Sequence, residues 1–176
     1  AEGHDIITGG IENDIIDGGA GDDILNGGDG TNWLGYITAL SGVTVDLSNG
    51  VKQYTYGSGF DTLSNFENLI GSTFDDTLTG TTTANIIEGR AGNDIINGGD
   101  SADILIGGEG NEIYLFNTND VDIGETITET ATGGTDIVSM VTTTDFSLMV
   151  DTSFDEIEEI RFAGANQTGT FTGLQL

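Results

Sequence analysis

Residues 18–26 read Gly-Gly-Ala-Gly-Asp-Asp-Ile-Leu-Asn, and the same nine-residue plan recurs on both sides. One step back, 9–17 read Gly-Gly-Ile-Glu-Asn-Asp-Ile-Ile-Asp, after a partial unit ending at Thr8. One step forward, 27–35 read Gly-Gly-Asp-Gly-Thr-Asn-Trp-Leu-Gly. The eighth place is always apolar: Ile7, Ile16, Leu25 and Leu34. The sixth is Asp5, Asp14 and Asp23, with Asn32 as a departure. A fixed period of this kind marks a stacked repeat architecture and outranks any local propensity.

A second block runs over 71–115, in units opening at Gly71, Gly80, Gly89, Gly98 and Gly107. Its apolar rung is Leu78, Ile87, Ile96, Leu105 and Tyr114, and Leu69 stands in register one step earlier. Its sixth-place rung is Asp76, Asn85, Asp94, Asp103 and Glu112. From Leu34 to Leu69 the step is one residue short of four periods, so the two blocks do not read as one uninterrupted coil.

The composition narrows the functional classes. Among 176 residues there are 3 Lys and Arg against 30 Asp and Glu, for a formal charge of -27. Such a chain offers no electrostatic footprint for nucleic acid or anionic lipid. Its apolar stretches are too short for membrane insertion. With Cys 0, disulfides and a thiolate nucleophile are unavailable. With His 1, the usual acid–base machinery is scarce, and no catalytic residue is assigned: the reading is not an enzyme. His4 lies at a variable turn position and reads as solvated. Trp33 and Tyr114 read as strand packing groups.

The nonapeptide resembles the calcium-binding repeat of the repeats-in-toxin (RTX) family. The spacer Ser41–Gly50 followed by 61–80 is similar to segments found between repeat blocks in large secreted members. The resemblance implies an all-β fold, a parallel β-roll (a β-helix or solenoid) in which each repeat supplies a six-residue turn and a short strand. Two repeats complete a coil. Residues 1–35 would be the first block, 36–70 a spacer with a β-hairpin, 71–115 the second block, and 116–176 a C-terminal capping region. The hairpin is expected around Asn49-Gly50, between Val43–Leu47 and Val51–Tyr56. The capping strands are expected within 126–130, 136–142 and 158–164.

Elementary energetics supports the same picture. The inward ladder is thin, with roughly 1.5–3 kcal/mol available per buried Ile or Leu, and glycine-rich turns lose much chain entropy on ordering. Stacking brings Asp5 to Asp23 and Asp76 to Asp94. Bare carboxylates ~4 Å apart repel by about 1 kcal/mol in water and about 4 at an effective dielectric of 20. A hard dication reverses the sign. Calcium accepts 6–8 oxygens in loose geometry, magnesium demands a tight octahedron, and zinc wants His or Cys.

By the resemblance, each ion takes the sixth-place side chain with the second- and fourth-place carbonyls of one repeat. The repeat two steps later adds its sixth-place side chain and its first- and third-place carbonyls. The first set is then Ala1, Gly3 and Asp5 with Gly18, Ala20 and Asp23, and the second is Gly10, Glu12 and Asp14 with Gly27, Asp29 and Asn32. In the other block Ser72, Phe74 and Asp76 meet Gly89, Ala91 and Asp94, while Thr81, Thr83 and Asn85 meet Gly98, Asp100 and Asp103. Finally Arg90, Gly92 and Asp94 meet Gly107, Glu109 and Glu112. About four Ca2+ ions at tenfold excess over Kd would add roughly 5–6 kcal/mol. Asn32 and Asn85 are neutral ligands and weaken their ions. Phe74 and Thr83 sit where the turn prefers Gly, Arg90 brings a cation to the site, and Glu112 is one methylene long.

The expected function is a calcium-binding module that folds on meeting extracellular calcium after type I secretion, as scaffold of a larger secreted protein. The alternatives are a calcium-rigidified segment of a cell-surface adhesin or surface-layer protein, or an accessory module of a secreted hydrolase or epimerase. Its partners would be calcium ions and adjacent domains of a longer chain or neighbouring molecules on a cell surface. The sequence ends without an evident terminus of its own and is expected to be part of a longer protein. Asp155, Glu156, Glu158 and Glu159 read as a solvated acidic strand edge. The outward seventh place carries Ile6, Ile15, Ile24, Ile86, Ile95, Ile104 and Ile113, which strand propensity or a covering surface would explain.

Overall fold

Each nonapeptide closes on a β-prone run whose middle residue points inward, and these runs are the strands. A computed structural model describes residues 2–118, 120–130, 134–149, 156–162 and 169–170. The first part holds β1 (Ile6–Thr8), β2 (Ile15–Ile16), β3 (Ile24–Asn26) and β4 (Trp33–Gly35). The spacer supplies β5 (Thr44–Asp46), β6 (Gln53–Tyr54), β7 (Phe60–Ser64) and β8 (Asn68–Ile70). The second block contains β9 (Thr77–Thr81), β10 (Ile86–Ala91), β11 (Ile95–Gly99), β12 (Ile104–Glu109) and β13 (Ile113–Phe116). Beyond it come β14 (Thr126–Thr128), β15 (Ile137–Met140), β16 (Thr144–Asp145), β17 (Glu159–Phe162) and β18 (Gly169–Thr170).

Successive strands alternate between two faces and stack in parallel, which makes a solenoid. One face is a single sheet in the order β2-β4-β8-β10-β12-β14. The other is divided into β1-β3-β7, carrying β6 at its edge, and β5-β9-β11-β13-β15-β17. Within the repeats the register steps by a full coil, Ile6 opposite Ile24 and Ile86 opposite Ile104. The inward column Leu25, Leu34, Leu69, Leu78, Ile87, Ile96, Leu105 and Tyr114 is buried, as the eighth-place reading requires. Spacer residues join it, Leu63 opposite Leu25 and Val45 opposite Leu78.

Three expectations need correction. Leu34 lies directly opposite Leu69, so one face runs through both blocks without a break, while the other face is divided where β7 and β5 of the spacer join it. The hairpin is not at Asn49-Gly50. β6 pairs antiparallel with β7, closed by Thr55 N–H on the Gly59 carbonyl at 2.8 Å, while β5 pairs in parallel with β9. Val45 must face the core, and the Gln53 side-chain amide meets the Asp46 backbone in place of a ladder, at 2.9 Å in both directions. The C-terminal strands are not lids either. β14, β15 and β17 extend the two faces as further coils with longer turns, and Phe116 and Phe146 pack edge-on at 5.3 Å beneath them.

Candidate metal sites along the turns

A turn end has backbone N–H groups that need acceptors. Here the sixth-place side chain of the next coil provides them. Asp5 N–H donates to Asp23 Oδ1 at 2.8 Å, Asp76 N–H to Asp94 Oδ1 at 2.8 Å, and Asn85 N–H to Asp103 Oδ1 at 2.8 Å. Asp14 N–H reaches Asn32 Oδ1 at 3.0 Å. The result is a column of side chains along each edge of the solenoid.

The columns continue through residues that the repeat pattern did not include. Asp23 N–H donates to Asp61 at 3.0 Å and Asn32 N–H to Glu67 at 2.7 Å. Past the last nonapeptide, Asp103 N–H meets Glu125 at 2.9 Å, Glu112 N–H meets Asp136 at 2.9 Å, and Asp136 N–H meets Glu158 at 2.6 Å. A signal for all five was present: each is an acid two places before an inward apolar residue, as in Asp61-Thr62-Leu63 and Glu125-Thr126-Ile127. That triplet outlives the glycines. Glu158 is thus exposed, as the sequence reading expected, and is at the same time a rung of the column through its bond to Asp136 N–H. Glu159 beside it pairs on the surface with Arg161 at 2.6 Å, and Asp155 lies outside the described residues.

The turns fall into two kinds. In the units opening at Gly18, Gly27, Gly89, Gly98 and Gly107, both the second and the fourth place have positive φ. Two of those places are not glycine, Arg90 at 85° and Ser101 at 83°, so the conformation is held against the Cβ penalty. Asp5 follows Gly3, the positive-φ fourth place of the partial unit. At 9–17, 71–79 and 80–88 neither place is left-handed. The second-place N–H instead donates to the turn's own sixth-place side chain: Gly10 to Asp14 at 2.6 Å, Ser72 to Asp76 at 2.6 Å, Thr81 to Asn85 at 2.7 Å. Hydroxyls stand in for glycine here. Ser72 Oγ accepts from Phe74 N–H at 3.0 Å and Thr81 Oγ1 from Thr83 N–H at 3.1 Å, so Phe74 and Thr83 need no strained dihedral. Glu12 is the same departure in the first block, and the sequence reading passed over it.

The two kinds differ in what their carboxylates lack. In the left-handed turns Asp5 Oδ2, Asp23 Oδ2, Asp94 Oδ2, Asp103 Oδ2 and both Glu112 oxygens are buried with no hydrogen-bond partner, as is Glu125 Oε1 in the coil beyond. Asn32 shares this turn, and its amide fills the gap by donating to the Asn65 carbonyl at 3.2 Å. Asn85 does likewise to the Glu67 carbonyl. Asp61 is satisfied by hydroxyls, Thr55 at 2.9 Å and Tyr36 at 3.1 Å.

Burial, with neighbouring carboxylates adding to it, pushes the acids up: Asp94 and Asp103 to about 7, Glu112 to about 8, Glu125 to about 9. No basic side chain relieves them. Lys52 is paired with Asp22 at 2.8 Å, Arg161 with Glu159, and the Arg90 guanidinium reaches the Ser72 carbonyl at 3.4 Å. Orphaned oxygens without nitrogen or sulfur donors fit a hard, oxygen-seeking dication. Gly89 shows how closely the site is drawn: a Cβ there would overlap Asp94 Oδ2 and stand 2.8 Å from the Gly107 carbonyl.

The residue sets drawn from the resemblance are brought together unevenly. Gly3, Gly18, Ala20, Asp5 and Asp23 converge, with Gly3 N–H on the Ala20 carbonyl at 2.7 Å; Ala1 lies outside the described residues. Gly10, Glu12 and Asp14 stack on Gly27, Asp29 and Asn32, with Asp29 N–H on the Gly10 carbonyl at 3.0 Å, but Asp14 and Asn32 have protein partners. Ser72, Phe74 and Asp76 lie against Gly89, Ala91 and Asp94, where Asp76 is already bonded and Arg90 occupies the Ser72 carbonyl. Thr81, Thr83 and Asn85 lie against Gly98, Asp100 and Asp103, with only Asp103 left wanting. Arg90, Gly92 and Asp94 stack on Gly107, Glu109 and Glu112, with Gly92 N–H on the Glu109 carbonyl at 2.9 Å. Among the described residues the Glu112 carboxylate takes no donor from that earlier coil.

A parallel solenoid whose glycine turns hold buried, unpartnered carboxylate oxygens is a calcium-binding roll. The family model for the RTX calcium-binding nonapeptide repeat (4 copies) matches residues 1–34 and 79–111, and these segments belong to the repeats-in-toxin family. No curated protein matches the chain significantly.

Proposed function

We propose that the chain is a calcium-dependent folding scaffold of a larger secreted protein, disordered inside the cell and ordered by extracellular calcium after type I secretion. The observation that carries this reading is the row of buried, partnerless oxygens on Asp5, Asp23, Asp94, Asp103 and Glu112. A fold that leaves charged groups uncompensated is incomplete without a counter-ion. Asp5 with Asp23, and Asp94 with the turn carbonyls around Gly89 and Ala91, would hold ions most firmly. The sets containing Asn32 and Asn85 would hold them weakly, because amide donors already serve those rungs. The scaffold role uses no catalytic residue.

A surface adhesin or surface-layer segment is the second reading. It is favoured by the outward isoleucines: Ile6 and Ile24 are 77% and 50% exposed on one face, and Ile15 is 68% exposed on the other. Such a row suits contact between neighbouring molecules. Titration calorimetry of the whole chain tests the shared premise. Calcium should bind saturably and magnesium at equal concentration far less, since turn carbonyls close poorly to a tight octahedron. Equal binding of both ions would refute it.

A further inference from the structure

Among the described residues Glu112 is the one rung whose two carboxylate oxygens are both partnerless, in a side chain that is 0% exposed. The expected partner, Asp94 of the coil before, does not engage it. Two acids from beyond the nonapeptides do. One carboxylate oxygen each of Glu112, Glu129 and Asp136 lies within 4.8 Å of the others. We propose that these three side chains form a calcium site of their own, outside the repeat pattern, which joins the last nonapeptide to the coils that follow it. The proposal rests on the calcium reading above for the identity of the ion.

The construction around the three acids supports a built site. Asp136 is buried and is fixed by Glu112 N–H on its Oδ1 at 2.9 Å. Glu129, which follows β14, is aimed inward by the Tyr114 hydroxyl on its Oε1, and its Oε2 faces Gly108 N–H at 3.4 Å. Tyr114 replaces the Ile or Leu of the inward column, so the hydroxyl has a purpose that a packing role does not explain. Two glycines let the backbone approach the acids closely. A Cβ on Gly107 would overlap Glu129 Oε1 and the Tyr114 hydroxyl, and one on Gly110 would stand 2.7 Å from Glu112 Oε1. The chain's Lys and Arg residues are engaged elsewhere, Lys52 with Asp22, Arg161 with Glu159 and Arg90 with the Ser72 carbonyl. Three carboxylates, Glu112 from the turn before β13 and Glu129 and Asp136 from the two ends of the connection between β14 and β15, with no nitrogen or sulfur ligand, select a large hard cation over zinc.

Calcium titration of the whole chain by calorimetry, with circular dichroism of each variant in calcium, tests this. Glu129→Gln lies outside every repeat turn and should remove one ion from the stoichiometry, or weaken one site at least tenfold, while the remaining ions bind as before. Asp136→Asn keeps the acceptor for Glu112 N–H and should lose the same ion, which decides the matter if Glu129→Gln folds poorly. Adding Asp94→Asn to Glu129→Gln should cost further binding, because the two changes act on different ions. Wild-type stoichiometry and affinity in both Glu129→Gln and Asp136→Asn would overturn the proposal while leaving repeat binding intact. No calcium binding by the wild-type chain would instead overturn the reading beneath it.

Discussion

The turns at 71–76 and 89–94 sit one coil apart on the same edge and present the same aspartate, yet they make opposite demands. Asp76 accepts from Ser72 N–H at 2.6 Å, Ser72 Oγ at 2.7 Å and Val43 N–H at 2.8 Å. Asp94 accepts from Asp76 N–H at 2.8 Å with one oxygen and from nothing with the other. The cause is the hand of the backbone. Positive φ at Arg90 and Gly92 removes the second-place N–H from its own carboxylate, whereas Ser72 keeps it. The need for a cation is therefore set by the turn conformation, and counting aspartates overstates it.

The largest effect expected from this contrast is a reversal of sign at Asp94. In calcium, Asp94→Asn should weaken ion binding and destabilise the second block. In chelator the same change should stabilise whatever fold persists, by about 1–3 kcal/mol, since it removes a buried acceptor without a donor. Asp76→Asn should destabilise in both conditions, because its new amide would face the Ser72 N–H. Denaturant midpoints of the two variants with and without calcium check this; matching behaviour would erase the distinction between the turns.

A smaller effect is expected from pH. In the absence of calcium, Asp94 and Asp103 hold their protons up to about 7 when folded, well above the ordinary 3.8 of an unfolded aspartate. A raised carboxyl pKa contributes stability below the unfolded value and loses it as pH rises through the folded one. The chelated chain should accordingly be most ordered near pH 4 and lose structure towards pH 7–8. Calcium should invert that trend, because protons and the ion compete for the same oxygens. Far-ultraviolet dichroism against pH in both conditions gives the answer.

The smallest concerns Arg90 itself. Arg90→Gly relieves a positive φ in a side-chain residue and frees the Ser72 carbonyl, so calcium affinity should rise severalfold with a stability gain of about 0.5–1 kcal/mol. Calorimetry and thermal melts measure both.

Much of this was legible in the repeat. The inward column from Ile7 to Tyr114 and the stacking of Asp5 on Asp23 and of Asp76 on Asp94 follow from a nine-residue period, and the strands near 126–130, 136–142 and 158–164 from β-prone runs between Gly- and Thr-rich turns. The course of the spacer was not legible, because Val45 and Leu63 take core places beside Leu78 and Leu25 that only tertiary packing defines. The extension of the columns through Glu125, Asp136 and Glu158 was hidden by coils of 22 to 24 residues, and that through Asp61 by a step of 38, which break the period while keeping the acid-x-apolar triplet. Turn hand was half visible. Phe74 and Thr83 announce it, Glu12 carries the same message, and Arg90 and Ser101 show that a missing glycine does not always change the turn.

The central claim is that calcium completes this fold, and circular dichroism of the wild-type chain at neutral pH tests it most directly. In excess chelator the spectrum should be largely that of a disordered chain, and calcium should bring up a β signal in a cooperative, saturable titration that magnesium does not reproduce. A full β spectrum in chelator, unchanged when calcium is added, would contradict the account.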